Sequence, residues 1–92
     1  EQEFCLAATH EESVIDFVKN NISSYKDLDI KLYQIQNKFR DELRAKLGLI
    51  RAKEFIMKDA YSFAKNKEDA YKHYLEMVQA YKNIFDQLEI KY

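Results

Sequence analysis

The run Leu32-Tyr33-Gln34-Ile35-Gln36-Asn37-Lys38-Phe39-Arg40-Asp41-Glu42, then after a connector Glu54-Phe55-Ile56-Met57-Lys58-Asp59-Ala60-Tyr61-Ser62-Phe63, decides how the chain folds. In the first arm Tyr33, Ile35, Asn37 and Phe39 share one alternating register, and Leu32, Gln34, Gln36 and Lys38 share the other. Neither register is purely apolar, yet the run is too short and too polar for a convincing helix. It reads as a strand lining a wet site. The second arm sets Phe55, Met57, Asp59, Tyr61 and Phe63 on one face of a strand. Between the arms lies a loop of about Leu43 to Ile50, which holds the chain's single glycine, Gly48, and is flanked or occupied by Arg44, Lys46 and Arg51. Long loops are often functional. Two antiparallel strands joined by a basic loop make a platform for an anionic ligand.

The flanks read as helices. Glu3 to Ala8 suits a short strand or strand end. Thr9 then stands as an N-cap with Glu12 in capping-box spacing. A helix over about His10 to Ser23 is expected to bury Val14, Ile15, Phe17, Val18 and Ile22. Ser23 to Lys31 is a polar connector anchored by Tyr25 and Leu28. A long helix over about Lys67 to Leu88 is expected to bury Ala70, Tyr74, Met77, Val78, Tyr81, Ile84, Phe85 and Leu88, and Glu89 to Tyr92 could begin another strand. The expected fold class is α+β: a central hairpin, two flanking helices, and open strand edges that favour self-association into a homo-oligomer.

Composition narrows the function classes. Ninety-two residues support one small domain with a thin core. Hydrophobic residues at 47% and charged residues at 34% argue against disorder. Fifteen basic against 16 acidic side chains give a net charge of −1, so no basic excess marks a chain that grips a nucleic-acid backbone by itself. One cysteine, Cys5, forms no internal disulfide, and with two separated histidines, His10 and His73, no metal site is expected. His73 reads as a surface helix residue, and Lys38, Lys46 and Lys53 read as solvated or as weak contacts to a nucleic-acid end. No apolar run reaches bilayer length and no signal-peptide layout opens the sequence, so a reducing, cytoplasmic setting is expected, an organellar one being equally compatible.

From the residues alone, Arg40, Asp41, Glu42 and Arg44 read equally well as a solvated charge cluster, Phe55 as core, and Thr9 with Glu12 as a helix cap. Their wording adds a resemblance. Phe39-Arg40-x-Glu42, a loop, then Arg51-x-x-Glu54-Phe55 is similar to motif 2 of class II aminoacyl-tRNA synthetases. The fuller wording Tyr33-Gln-Ile-Gln-x-Lys-Phe-Arg-Asp-Glu42 and Glu54-Phe-x-Met-Lys-Asp-Ala-Tyr-Ser-Phe63 resembles the bacterial-type prolyl-tRNA synthetase, and Thr9-His10-Glu11 resembles that family's Thr-x-Glu loop. The resemblance covers residues 1–92, with the Thr-x-Glu loop at about 7–12, motif 2 at about 32–63 and the long helix at about 67–88.

The resemblance implies a partial class II synthetase catalytic domain whose ligands are proline, ATP with Mg2+, and tRNA(Pro). It implies that Arg40 is the catalytic arginine bridging the α-phosphate and the amino-acid carboxylate. Glu42 would meet the adenine amino group, Arg51 the phosphates, and Phe55 the adenine ring. Thr9 and Glu11 would hold the proline ammonium, with Asp59 beside the same pocket; His10 is a bystander. No stretch matches motif 1, motif 3 or an anticodon-binding domain, so the isolated chain is expected to have little or no aminoacylation activity. The competing expectations are a non-catalytic binding or scaffold module and an engineered folding model. The chain also departs from the family wording by having no proline, where average usage predicts roughly four or five. Ala7-Ala8, Arg44-Ala45 and Leu28-Asp29 stand where the family commonly carries one. Without that fixed φ, the ligand-holding loops are expected to be looser.

Overall fold

The computed structural model describes residues 3–44 and 51–92. The order is α1 (Glu11–Asn21), a 3-10 turn (Tyr25–Asp27), β1 (Ile30–Phe39), β2 (Glu54–Phe63) and α2 (Lys67–Gln87). The strands pair as a two-stranded antiparallel sheet, with Arg40 N–H donating to the Lys53 carbonyl (2.8 Å) at one end and Asp29 N–H to the Phe63 carbonyl (3.0 Å) at the other. The α+β class, both helices and both strands stand as expected. Ala45 to Ile50, with Lys46 and Gly48 of the expected loop, lie outside the described residues.

The chain forms two compact units, Glu1–Ile22 with Leu32–Tyr61, and Ser23–Lys31 with Ser62–Tyr92. In the first, the alternation of β2 is obeyed throughout: Phe55, Met57, Asp59 and Tyr61 are half-buried while Glu54, Ile56, Lys58 and Ala60 are exposed. On β1 the inward register is the polar one. Leu32, Gln34 and Lys38 turn inward, whereas Tyr33 and Ile35 are exposed. The Lys58 ammonium sits over the Tyr33 ring at 4.8 Å on that outer face. Glu3 to Ala8 is not a strand, although Phe39 N–H donates to the Ala7 carbonyl at 2.8 Å and ties this segment to the end of β1.

Helix α1 starts one residue later than expected, and the Thr9–Glu12 capping box does not form. His10 occupies the cap position without a side-chain cap bond, and Thr9 Oγ1 accepts from Glu11 N–H at 3.3 Å. Val18 is buried and Val14 and Ile22 are half-buried, a single i, i+4, i+8 stripe; Ile15 and Phe17 fall off that stripe and are exposed. A capping box does form at Ser24. Its side chain accepts from Lys26 N–H while Asp27 accepts from Ser24 N–H, which nucleates the 3-10 turn. Tyr25, expected as an anchor there, is exposed, and Leu28 is half-buried.

In the second unit Asn66 caps α2 by accepting from Asp69 N–H at 2.8 Å, with Glu68 and Asp69 in the first turn where the helix end favours negative charge. The buried stripe of α2 is turned about one residue from the expected one. His73 is buried and Met77, Val78 and Phe85 are half-buried, whereas Ala70, Tyr74, Tyr81, Ile84 and Leu88 are exposed. The expectation of His73 as a surface residue is therefore corrected. Its Nε2 lies 3.6 Å from Asp29 Oδ1, and the other Asp29 oxygen lies 3.5 Å from Lys65 Nζ.

The end of α2 closes as a Schellman motif rather than opening a strand. Glu89 takes the left-handed position (φ 55°), its N–H donating to Asp86 and the Ile90 N–H to the Phe85 carbonyl. Asp29 has φ 70°, a conformation closed to proline. Two outcomes follow for urea unfolding. Glu89→Gly removes a Cβ penalty and raises stability by up to about 1 kcal/mol. Asp29→Pro destabilises by more than about 1 kcal/mol, because it forces φ and removes the N–H bonded to Phe63.

Candidate functional site

The end of β1, the start of β2 and the residues just beyond them surround an open cavity of about 650 Å³ lined by Arg40, Glu42, Arg51, Ala52, Phe55, Ile56 and Met57. All four residues singled out for ATP thus line one concavity. Arg40 leaves the strand at its last ladder bond. Its Nε donates to the Ala8 carbonyl (3.1 Å), and its guanidinium lies 5.4 Å from the centroid of the Phe55 ring. That geometry is a cation–π contact. Phe55 faces this cavity because it begins the inward register of β2. Two guanidiniums, one carboxylate and an aromatic face are a donor set for an anion joined to a flat, polar-edged ring. Asp41, by contrast, pairs with Lys53 at 2.9 Å in full solvent, where such a pair contributes little. Lys53 is therefore solvated, as expected.

A second cluster lies deeper, on the same hairpin. Lys38 is only 1% exposed, and its ammonium is 3.1 Å from Asp59 Oδ1. Gln34 Nε2 donates to Asp59 Oδ2 at 3.0 Å, and Lys38 Nζ also contacts His10 Nδ1. The expectations of Lys38 as solvated and His10 as a bystander are both corrected. A buried ammonium persists only when paired, and these are its partners. Strand register carries part of this signal. Lys38 shares the register of Leu32 and Gln34, and Asp59 shares that of Met57 and Tyr61, so opposite charges stand on the two inward faces.

Asp59 keeps a proton only in strong acid. Burial, the largest single influence, pushes its carboxyl up, but hydrogen bonds from Gln34, Tyr61 and Lys38, with the Lys38 charge, together outweigh it and hold the group at about 2 against an ordinary 3.8. The Tyr61 phenol moves the other way. Burial and its hydrogen bond to Asp59 push it up, with Thr9 acting to lower it and the Glu11 charge adding to the rise. Thr9 and Glu11 are both exposed and stand close enough to Tyr61 to be felt there. The residues singled out for proline, Thr9, Glu11, Arg40 and Asp59, thus all fall in the first unit, with Arg40 on the larger cavity and Asp59 in the buried cluster. A smaller cavity of about 420 Å³, lined by Val14, Phe17, Leu32 and Tyr61 among others, lies alongside. Cys5 is exposed and free.

This chain belongs to the class II tRNA synthetase core domain family (G, H, P, S and T), whose family model matches residues 1–92. Its similarity within that class is to proline–tRNA ligases. It is 58% identical over 89 residues to that of Persephonella marina (97% of this chain, 16% of the relative) and 55% over 85 residues to that of Heliobacterium modesticaldum (92% and 15%). It is 54% identical over 92 residues to that of Chlamydia abortus (100% and 16%). The resemblance read from the motif wording is borne out, and the chain spans 15–16% of the length of these curated relatives. Among the described residues no helix is long and apolar enough to cross a membrane.

The depressed Asp59 pKa has a signed consequence. The group contributes stability that is complete above about pH 4 and is lost as pH falls through about 2. Carboxyl-carbon NMR titration is expected to find Asp59 near 2 in the parent chain. In Lys38→Met its pKa rises, because the charge and one hydrogen bond are gone while burial still acts. An ordinary titration of Asp59 in the parent chain would refute the pairing.

Proposed function

We propose that the chain is the motif-2 part of the ATP- and proline-binding core of a prolyl-tRNA synthetase. One observation carries this reading: Arg40, Glu42, Arg51 and Phe55, drawn from both arms of the hairpin, line a single cavity. In the proposed reaction the proline carboxylate attacks the α-phosphorus of ATP, releasing pyrophosphate and giving prolyl-adenylate. The prolyl group then passes to the terminal adenosine of tRNA(Pro). No side chain need act as nucleophile; the work is positioning and charge neutralisation at phosphorus. Arg40 serves as the catalytic residue, meeting both the α-phosphate and the proline carboxylate. Arg51 neutralises further phosphate charge, Glu42 accepts from the adenine amino group, and Phe55 stacks the base. Thr9 and Glu11 take the proline ammonium, a neutral acceptor and a carboxylate in one loop, and Asp59 stands behind them.

Mg2+ is expected with the nucleotide, where the phosphates would hold it with Glu42 the carboxylate at hand on the cavity. Among the described residues no three His, Cys, Asp or Glu side chains gather, and Glu42 is the one carboxylate on the cavity. No step is assigned to the metal. The setting proposed is the cytoplasm. With one wall of an ATP site, the 92-residue chain binds weakly and turns over little or nothing.

A second reading, a non-catalytic binding module, draws on the outer face of the hairpin, where Tyr33, Ile35 and Ile56 are all exposed. The open strand edges suit a homo-oligomer in either reading. Calorimetric titration with a non-hydrolysable prolyl-adenylate mimic separates them. The parent chain is expected to bind saturably, and Arg40→Ala and Arg51→Ala each weaken binding by about tenfold or more, the loss of one charge-assisted contact. A folded parent chain that binds neither the mimic nor ATP would sink the synthetase reading and leave the binding module.

A further inference from the structure

The most deeply buried side chain among the described residues belongs to a lysine, and the proposed chemistry gives it no part. Lys38 leaves β1 and reaches three places: Asp59 on β2, His10 in the segment leading into α1, and, through Asp59, the amide of Gln34. His10 lies between Thr9 and Glu11, the two residues proposed to take the proline ammonium. Lys38 has only donors and its charge is held by Asp59, so His10 must accept through Nδ1 and carry its proton on Nε2.

We infer that Lys38 and His10 form a latch that fixes the Thr9–Glu11 segment on the hairpin, making both positioning residues for the amino-acid half of the site. The inference rests on the proposed function for the word amino-acid, but the latch itself rests on geometry. Four observations converge on it. The ammonium is nearly solvent-free, so its partners are not exchangeable with water. The segment has no helix cap of its own, since His10 makes no cap bond and the Thr9–Glu12 box is absent. The segment's other ties include the Ala7 and Ala8 carbonyls, which accept from Phe39 N–H and Arg40 Nε, the two residues that follow Lys38 in the chain. Finally, Tyr61 feels Thr9, Glu11 and Asp59 at once, which closes the cluster from the β2 side. A loop without its own cap and without proline takes its shape from what grips it, and here the buried ammonium is the grip on the His10 side chain.

The latch separates the two halves of the site. Lys38 does not line the cavity of Arg40, Glu42, Arg51 and Phe55. Its loss is felt where Thr9 and Glu11 act, and little where the nucleotide acts.

The test uses the full 92-residue chain with two readouts. Nitrogen NMR of the His10 ring reports the tautomer directly. The parent chain is expected to show a protonated Nε2 and an accepting Nδ1, a signature lost in Lys38→Met, together with shifts of the Thr9 and Glu11 amides. Calorimetry with ATP and with the prolyl-adenylate mimic reports the split. Lys38→Met and His10→Leu weaken the mimic by about tenfold or more while changing ATP affinity less than about twofold, the pattern of lost positioning. His10→Asn, whose side-chain oxygen falls near the place of Nδ1, restores mimic binding, and it answers the question even if Lys38→Met fails to fold. A parent chain that binds neither ligand counts against the proposed function alone, and the ring signature then decides the latch. A protonated Nδ1 in the parent chain, or equal losses for ATP and mimic, or no rescue by asparagine, overturns it.

Discussion

The Lys38–Asp59 pair is the interaction on which the first unit depends. It is the only opposite-charge contact among the described residues in which one side chain is 1% exposed and the other 14%. Charges so far from water are tolerated because each finds several partners: Asp59 has Gln34 and Tyr61 besides the lysine, and Lys38 has His10 besides the carboxylate. Such a cluster does not make a core stronger than packed hydrocarbon would. It makes the arrangement particular, because slipping either strand by one residue would turn one charge outward and leave the other unpaired. This requirement favours one register of the hairpin, which the backbone ladder between the strands then holds.

Apolar packing does comparatively little of that work. Val18 is the one buried apolar side chain among the described residues. The remaining inward positions, such as Leu32, Met57 and Phe39, are half-buried. Hydrophobic stabilisation scales with area removed from water, so partial burial of a small set leaves a thin margin. For that reason the capped turns count for more than usual: Ser24 with Asp27, Asn66 at the start of α2, and the Glu89 closure each fix backbone that the core alone does not hold.

Much of this was legible from the residues. The strict alternation of β2 and the apolar repeat of α2 are local signals, and both elements stand within a residue of their expected limits. The cavity residues were legible through motif wording, since a charge order such as Arg40-Asp41-Glu42 is ambiguous until flanking words fix it. What stayed hidden depends on partners distant in the chain. Whether Lys38 is solvated is decided 21 positions away, by Asp59. His73 looked like a surface histidine because nothing nearby announces that Asp29 lies against it. The stripe of α2 is offset from the expected one because an apolar repeat this dense fits more than one face, and the fold leaves Tyr74 and Tyr81 outside. Asn66 before an acidic first turn carries a local cap signal of its own.

The contact of Arg40 with the face of Phe55 carries one more consequence. The aromatic face lies under a cation, and the best partner of a cation is an anion. Under the proposed reading, a flat base entering over Phe55 evicts the guanidinium as its own phosphate arrives to receive it. Binding is then an exchange of partners rather than the filling of a vacancy: a ring for a ring-bound charge, and a phosphate for a ring. A nucleobase without its phosphates would have to displace the arginine and offer it nothing in return, so under that reading the Arg40–Phe55 contact discriminates against half a ligand.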